Sequence, residues 1–339
     1  MDAVSAWLSL NPGLVAPDPV GDPERGMREA GLLDPAPDYA TIARLKHEIV
    51  ARTGLLGLAG VWGGRQLVFR HFLGFGTAAQ RTAWAGQALA VAISEPGVGA
   101  HPKKLTTRAD RTAEGFRITG RKAWVSNGPD ADAIIVFAIT AQDGDRKRYS
   151  AFIVPRGTPG VMMQDMPGFR ALRPSRHCLL TLDCEVPCDA ILGEPGSAYE
   201  RMALPFRDIE DAVGTFAVLG ALRHALDRAP AADAQARGEI VALLSVFAAV
   251  AEVVVHGLDA GRLHPGDRTE IVSRGRRPPV LQPSGDLRGA VAGLRLMAVD
   301  LASRLRALAP ELPILADLDA VLSIAQGPLR ARLQKLGEG

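Results

Sequence analysis

Two short segments carry residue types that suit the binding of a flat aromatic ligand. Ile93–Gly99 (ISEPGVG) is an apolar run that ends at the Ser94 hydroxyl and then turns, and its two glycines let the backbone approach a flat or charged ligand closely. Gly120–Gly128 (GRKAWVSNG) has strand character, with Trp124 and Ser126 two residues apart and therefore on one face. A Trp beside a hydroxyl can shelter an aromatic cofactor and hydrogen-bond a ring atom. Either segment alone predicts little, because a Trp at a strand end usually belongs to a core.

Three regions of different hydrophobic period must position these segments. Residues 1–88 are helical in character after a proline-rich start, residues 89–197 contain short β-rich runs of period two, and residues 198–339 are helical again. We predict an N-terminal helical domain, a central β-barrel domain and a C-terminal four-helix bundle with these boundaries, an α+β chain. The segment Arg262–Gly285, rich in Pro, Gly and Arg, is predicted to be a mobile loop. The predicted bundle helices are Ile209–Ala229, Glu239–Leu258, Leu287–Leu308 and Leu318–Leu336.

Composition excludes several function classes. The net charge is +2, from 39 basic and 37 acidic residues, and aromatic residues make up 5% of the chain, so nothing favours nucleic-acid binding. The longest apolar run, Ile240–Val255, is interrupted by Ser245 and Glu252 and is short for a membrane span, so it is predicted to be a buried helix. An odd number of cysteines and no signal peptide favour a reducing cytoplasm.

The three cysteines allow a zinc hypothesis that the spacing does not favour. Cys178, Cys184 and Cys188 follow His177 closely, but they contain no Cys-x-x-Cys pair. The alternating strand pattern around them is expected to point them to different faces. We therefore interpret them as small buried hydrophobic residues.

Taken together, the two ligand segments resemble motifs of the acyl-CoA dehydrogenase family. Ile93–Gly99 is similar to the family's Thr-Glu-Pro-Gly-x-Gly-Ser-Asp motif, and Gly120–Gly128 to its Gly-x-Lys-x-Trp-Ile-Thr-Asn-Gly motif, with the interval between them kept. Leu105, Thr107 and Ala109 fall where the family has an apolar-x-Thr-x-Ala pattern. The likeness extends from about Gly76 to Leu226, and two further signatures match at Ser150–Val154 and Val186–Gly196.

The resemblance implies the family's fold and chemistry. It implies FAD in a cleft where the three domains meet, and α,β-oxidation of an acyl-CoA or a carrier-bound acyl thioester. It also implies a homo-oligomer, because the family builds its site across a subunit interface. It names neither the acyl chain nor the electron acceptor.

The resemblance also implies roles for individual residues. Ser94 would lie near the flavin pyrimidine edge, Trp124 would cover the ring system and Ser126 would hydrogen-bond near N5. Donors aimed at these positions favour a reduced flavin, which carries negative charge. Ala100 takes the place of the family's Ser beside flavin phosphate or substrate. Backbone groups would line the same surface at Val91, Ile93 and Gly99.

The catalytic base is less directly indicated. Most of the family keeps it in a Tyr-Glu-Gly-Thr motif near the C-terminus, where this chain has Gln326, which cannot take a proton. Other members place a Glu in the first bundle helix, about ten residues before a Leu-Gly. Glu210 matches that position, followed at about that distance by Leu219-Gly220, and Asp208 matches a residue that contacts the pantetheine arm. Acidic residues at a helix start also favour the macrodipole, so Glu210 as base and Glu210 as helix-end residue both stay open.

Three function classes follow from the departures from the family pattern. Ala100-His101 replaces the family's Ser-Asp, and Arg237-Gly238 is only a poor match to the Arg-x-x-Phe-Gly motif that reaches a neighbour's FAD diphosphate. The Gly-Gly-x-Gly motif is absent and the N-terminal helical region is short. The classes are a working flavin enzyme with Glu210 as base, one subunit of a hetero-oligomer whose partner completes the FAD sites, and a descendant without dehydrogenase activity.

Overall fold

The structure is a computed structural model of the 339-residue chain. It describes residues 3–15, 27, 29–230, 233–261, 287–324, 330 and 333–334. The predicted loop Arg262–Gly285 and the predicted position of the missing base, Gln326, lie outside these residues.

The chain divides into two compact units. One unit consists of Met1–Gly63, Ala171–Pro174 and Arg207–Gly339, and the other of Gly64–Arg170 and Ser175–Phe206. The helical segments at the two ends of the chain therefore share a unit. The predicted boundaries at residues 88/89 and 197/198 stay a prediction.

Helices build the first unit, and all four helices predicted after residue 198 have counterparts in it. The first of them, α5, begins at Leu204, before the unit boundary. The α-helices of the described residues are α1 (Ala3–Leu10), α2 (Tyr39–Thr53), α3 (Leu56–Leu67), α4 (Ala78–Trp84), α5 (Leu204–Arg228), α6 (Ala234–Asp259), α7 (Leu287–Leu308) and α8 (Ile314–Ile324).

Polar caps and a close helix crossing fix α2 in this unit. The Asp38 side chain accepts a hydrogen bond from Thr41 N at 2.7 Å, and the Asp259 carboxylate at the end of α6 accepts from the backbone of Tyr39 and Ala40 at 2.9 and 3.0 Å. Carboxylates at a helix start satisfy free N–H groups and complement the dipole. At Gly220 of α5, a Cβ would lie only 2.5 Å from the backbone oxygen of His47 on α2, so Gly is needed where the helices cross.

Among the described residues, helix α6 finds packing partners on one face only. Ile240, Leu244 and Phe247 are buried, whereas Val246 and Val253 are about half exposed. The prediction that this helix is buried is therefore wrong for the face that carries Val246 and Val253, because the described neighbours cover only the opposite face. By length and composition α6 is apolar enough to cross a membrane, with 39% of its most apolar stretch buried. A single such helix is weak support for a membrane span, since core helices share these properties.

The second unit contains a mixed eight-stranded sheet, which confirms the predicted central β region. The strand order is β6-β7-β3-β2-β4-β5-β8, and β1 pairs parallel with β4. Apolar side chains of the sheet form its core, including Ile118, Val136, Phe152 and Leu180. The strands are β1 (Leu89–Ala92), β2 (Arg108–Arg111), β3 (Gly115–Ser126), β4 (Ala133–Asp143), β5 (Arg146–Pro155), β6 (Val161–Asp165), β7 (His177–Pro187) and β8 (Ile191–Leu192).

The cysteines require a correction. Cys178 and Cys184 are free and buried in the sheet core, and both lie on the same face of β7, because they are an even number of residues apart. Burial raises the pKa of each thiol to about 11, so both behave as small apolar groups. Cys188, predicted to be buried, is exposed, since it follows the end of β7.

Candidate functional site

A buried ion pair lies between the two predicted ligand segments. Lys122 Nζ on β3 lies 3.1 Å from Glu95 Oε1 and donates to the Ile93 backbone oxygen at 3.1 Å. Lys122 is 0% exposed and Glu95 is 4% exposed. Neither side chain was predicted from the sequence to have a role. The available signal was a Lys at an inward-facing position of a strand whose neighbouring inward residues are apolar.

The Glu95 carboxylate is saturated with donors. Oε2 accepts from the amide and the hydroxyl of Thr106, both at 2.8 Å, and Oε1 from those of Thr107, at 2.8 and 2.6 Å. Burial by itself raises the pKa of Glu95, but the Thr107 hydrogen bond and the Lys122 charge outweigh it and lower the pKa to about 2. Burial lowers the pKa of Lys122 to about 8, against the opposing effect of Glu95. Both groups are therefore charged at neutral pH.

Trp124 presents its indole at the surface beside this pair. Its side chain is 42% exposed, and its backbone has a φ of 58°, at the bulge between Lys122 and Val125 where β3 slips against β7. A positive φ is rare for a bulky residue and persists only where the surrounding structure enforces it. Phe169 packs edge-on against the indole with ring centres 5.2 Å apart, and His177 lies 6.4 Å away. Neither aromatic neighbour of Trp124 was predicted from the sequence.

Two predicted hydroxyl groups flank Trp124 along the chain. Ser126 is exposed and Ser94 is partly exposed, and neither hydroxyl has a hydrogen-bond partner among the described residues. The Ala123 amide donates to the Ser94 backbone oxygen at 2.9 Å, which joins the first ligand segment directly to the strand that carries Trp124. The structure thus brings Ser94 next to the Trp124 segment, although 30 residues separate them.

The remaining predicted cofactor positions border the same segments. Val91 is in β1 and Ile93 follows it, both partly exposed, and Gly99 is exposed in a turn that pairs with Glu95. The Ile93 carbonyl accepts a hydrogen bond from Lys122, which leaves one of its two lone pairs for a ligand. The Ala100 carbonyl accepts from the Tyr199 hydroxyl at 2.7 Å, so that part of Ala100 serves the fold.

Glycine is required where β3 enters this surface. Gly120 has a φ of 151°, and a Cβ there would lie 2.5 Å from the Thr107 hydroxyl oxygen. A side chain at that position would push away the hydroxyl that holds Glu95. Gly120 therefore leaves room for the Thr107 hydroxyl that donates to Glu95.

Glu210 lies in α5 of the helical unit. The helix begins at Leu204 and has no acidic residue in its first turn, so Glu210 is beyond the turn where the helix dipole acts. Burial raises the pKa of Glu210 to about 7, Asp211 raises it further, and Lys46 lowers it. The Glu210 side chain is nevertheless exposed to solvent, so this shift corresponds to much less free energy than it would in a sealed core. Its carboxylate has no hydrogen bond to the described residues.

Cationic groups of α2 and α7 lie near the predicted acidic residues of α5. Lys46 on α2 is buried, and burial lowers its pKa while Glu210 opposes that shift. Asp208, 3% exposed, accepts a 2.6 Å hydrogen bond from Arg288 on α7. Neither Lys46 nor Arg288 was predicted from the sequence, because helix packing and not spacing brings them to α5. Asp208 therefore already has a charged partner within the protein.

The predicted site residues fall into two sets. The cofactor positions lie in the sheet unit, and Glu210 and Asp208 lie in the helical unit. The first set has an exposed indole, two unpartnered hydroxyls and open space around Gly97 and Gly99, which fits a flat aromatic ring. The second set has a carboxylate of raised pKa, which fits proton transfer near neutral pH.

Comparison with known proteins agrees with the motifs. Residues 90–184 match the family model described as acyl-CoA dehydrogenase, middle domain. The chain is 33% identical over 202 residues to the mitochondrial short-chain specific acyl-CoA dehydrogenase of Homo sapiens. That match covers 56% of this chain and 47% of the human protein, so it spans about half of the relative's length.

Solved structures share the fold over nearly the whole chain. Butyryl-CoA dehydrogenase from Megasphaera elsdenii has a TM-score of 0.74 at 18% identity, covering 96% of this chain and 94% of that chain. TdsC from Paenibacillus sp. A11-2, solved with FMN bound, has a TM-score of 0.74 at 21% identity, covering 99% and 95%. The motifs, the match of residues 90–184 to the acyl-CoA dehydrogenase middle domain and the fold shared with solved acyl-CoA dehydrogenases agree with one another.

Proposed function

We propose that this chain is an FAD-dependent dehydrogenase that oxidises an acyl thioester at its α and β carbons. The observation that carries the proposal is the exposed Trp124 indole, held at positive φ beside the unpartnered Ser94 and Ser126 hydroxyls. Backbone strain of this kind clusters at ligand sites, because the rest of the fold must compensate for it. The acyl-CoA dehydrogenase relatives and the FMN-bound structural neighbour support a flavin as the ligand.

The sheet unit would hold the flavin ring. When bound, the flavin supplies the two-electron acceptor for the oxidation. Trp124 would cover the ring and exclude water, while Ser94 and Ser126 would donate hydrogen bonds to its heteroatoms. Both hydroxyls are free to do so without breaking a bond within the protein. Backbone near Gly97 and Gly99 would allow close approach, since nothing lies within 4 Å of a Cβ at either position.

Glu210 would take the α-proton of the thioester. A base acts well when its pKa is near the working pH, and the surroundings of Glu210 raise its pKa to about 7. The helix-dipole interpretation of Glu210 loses support, because the residue lies in the second turn of α5. Asp208 would contact the pantetheine arm of the substrate only through carboxylate surface that Arg288 leaves free.

The substrate and partners are part of the proposal. The acyl group would be presented as acyl-CoA or on a carrier protein, and the exposed valines of α6 and Leu296 and Val299 of α7 would pack against a second copy in a homo-oligomer. A hetero-oligomer, in which another chain completes the FAD site, is the alternative for the same face. We also propose a reducing, cytoplasmic location, from the odd number of cysteines in the chain.

Absorbance of the purified protein tests the cofactor. We expect flavin bands in the protein as isolated or after addition of FAD, and loss of most of this binding in Trp124→Ala. Trp84→Ala is the matched control, because Trp84 lies outside the ligand segments. A protein that stays colourless with added FAD, alone and after co-expression with neighbouring gene products, would refute the proposal.

Substrate-driven bleaching of the flavin tests the reaction. Under anaerobic conditions, butyryl-CoA or isovaleryl-CoA should bleach the flavin of the wild type, and Glu210→Gln should bleach at least 100-fold more slowly, consistent with loss of a general base at about 10²–10⁴-fold. Glu200→Gln, at an exposed position before α5, should behave as the wild type. Unchanged bleaching in Glu210→Gln would exclude Glu210 as the base. Size-exclusion chromatography with light scattering on the same samples distinguishes monomer, homo-oligomer and hetero-oligomer.

A further inference from the structure

Lys122 bonds to both residues that flank Ser94. Its ammonium donates to the Ile93 carbonyl and to the Glu95 carboxylate, each at 3.1 Å. The next residue, Ala123, donates its amide to the Ser94 carbonyl at 2.9 Å. Three consecutive residues of one segment are thus tied to two consecutive residues of the other.

The donor set leaves Glu95 no role in ligand binding. Its two oxygens accept five hydrogen bonds, from the amides and hydroxyls of Thr106 and Thr107 and from Lys122. A carboxylate with all its acceptor positions filled and 4% of its surface exposed cannot contact a ligand. Whatever this pair contributes to function must act through the backbone that it holds.

Stability alone does not account for a buried ion pair of this kind. Two charges lose their hydration on burial, and replacing such a pair with apolar residues of similar size is often neutral or stabilising. Hydrogen-bonded charges do fix one register where apolar packing tolerates several, and this is one of their better-attested uses. Here the register in question is that of Ile93–Glu95 against Lys122–Trp124.

The geometry downstream depends on that register. β3 leaves its regular pairing with β7 between Lys122 and Val125, and Trp124 takes its positive φ inside this bulge. Anchoring Lys122 on one side and pairing Val125 with Cys178 on the other confines the irregularity to Ala123 and Trp124. Trp124 is thereby fixed relative to Ser94.

We propose that Lys122 is a positioning residue that sets the placement of Ser94 relative to Trp124, and thereby the affinity of the surface for flavin. This inference rests on the proposed function. It adds a role for Lys122, a residue that would not itself contact the flavin. Glu95, held by the Thr106 and Thr107 donors, keeps Lys122 in place. Removing the Glu95–Lys122 pair should increase the mobility of both ligand segments and leave the β4–β5 hairpin unchanged.

The test compares the buried pair with an exposed pair on the same strand. The double variant Glu95→Gln/Lys122→Met removes both charges, which avoids leaving one of them buried alone. Arg117→Met is the control, because Arg117 pairs with Asp183 across the same β3–β7 ladder but is exposed. Thr107→Val, which deletes only the 2.6 Å hydroxyl donor to Glu95, serves as a milder variant should the double variant fail to fold.

Two readouts separate the inference from the proposed function. Hydrogen exchange by mass spectrometry on the flavin-free protein should show faster exchange in peptides covering residues 93–99 and 120–128 of the double variant, and unchanged exchange in residues 133–155. The FAD dissociation constant, from quenching of flavin fluorescence, should rise at least tenfold in the double variant, about threefold in Thr107→Val, and not in Arg117→Met.

The outcomes are distinguishable. A wild type that binds no FAD defeats the proposed function, and exchange then decides the placement role alone. A folded double variant, or Thr107→Val where the double variant does not fold, that binds FAD within twofold of the wild type overturns the inference. Unchanged hydrogen exchange in the peptides covering residues 93–99 and 120–128 overturns the inference as well, because the Glu95–Lys122 pair would then not restrain the backbone of these segments.

Discussion

The pH dependence of flavin reduction is the sharpest consequence of the proposed base. Burial, followed by the charge of Asp211, raises the pKa of Glu210 to about 7. A general base acts only when it is ionised, so the rate should rise with pH and level off above this pKa. With a single group at pKa about 7, roughly a tenth is ionised at pH 6 and roughly nine tenths at pH 8, and the rate should increase about tenfold over that range.

Two neighbours allow the assignment to be tested by the sign of a shift. Asp211→Asn removes a negative charge, so the pKa of Glu210 should fall and the rising limb should move to lower pH. Lys46→Met removes the ammonium that lowers the pKa of Glu210, so the limb should move to higher pH. For charges several ångströms apart at a partly hydrated site, each displacement should be on the order of 0.5–1 pH unit.

The assay is anaerobic stopped-flow bleaching of the flavin with saturating butyryl-CoA between pH 5.5 and 8.5. Asp227→Asn is the control, because Asp227 is exposed near the far end of α5, about 25 Å from Glu210 along the helix. A flat profile would refute the reasoning. So would shifts of the same sign in Asp211→Asn and Lys46→Met, because a base other than Glu210 would then control the rate.

Two substitutions test what stabilises the fold, one at a close backbone contact of Gly57 and one at the buried carboxylate of Glu95. Gly57→Ala should destabilise the helical unit by more than about 2 kcal/mol, because the new Cβ would lie 1.8 Å from the Leu172 backbone oxygen. Gly74→Ala is the control: nothing lies within 4 Å of a Cβ there, so the free energy of unfolding should change by less than about 0.5 kcal/mol. Melting temperatures of the two variants test this difference. The pKa of Glu95 is about 2 in the native state against 4.5 in the unfolded state, so its ionised form should contribute about 3 kcal/mol of stability above pH 4.5, which is lost as the pH falls towards 2. Urea unfolding between pH 7 and pH 3 should show the free energy of unfolding falling with pH. Glu95→Gln should lack this dependence.

Local patterns predicted the elements because each has a clear hydrophobic period. The run Cys178–Val186 alternates, and the observed strand β7 extends it by one residue at each end. The helix predicted at Leu287–Leu308 has those bounds in the structure. The parallel pairing of β1 with β4 and the union of both terminal helical segments in one unit were not predictable, since they depend on contacts between residues far apart in the chain.

The site was predictable only as far as motif residues carry it. Ser94, Trp124 and Ser126 were found because a hydroxyl and an indole at fixed spacing are visible in the sequence. The pairing of Lys122 with Glu95 was not visible, because 27 residues separate them and a charged residue in a strand usually faces solvent. The positive φ of Trp124 arises from a bulge, and nothing in the local sequence requires one there.

Glu95 and Glu210 have opposite environments, and the contrast predicts opposite effects of one substitution. Glu95 accepts five hydrogen bonds that favour its charged form, whereas Glu210 has none from the described residues and its surroundings favour the neutral form. A carboxylate held ionised serves as an anchor, and one whose pKa is raised can exchange a proton near neutral pH. Because the native pKa of Glu210 (about 7) exceeds its unfolded value (4.5), the protein loses stability as the pH rises between these two values, and the loss is complete above about pH 7. Glu210→Gln should therefore raise the melting temperature more at pH 8 than at pH 5, and Glu95→Gln should lower it at both. Thermal unfolding of the two variants tests this, and a loss of stability in Glu210→Gln at pH 8 would mean that Glu210 serves the fold and not the reaction.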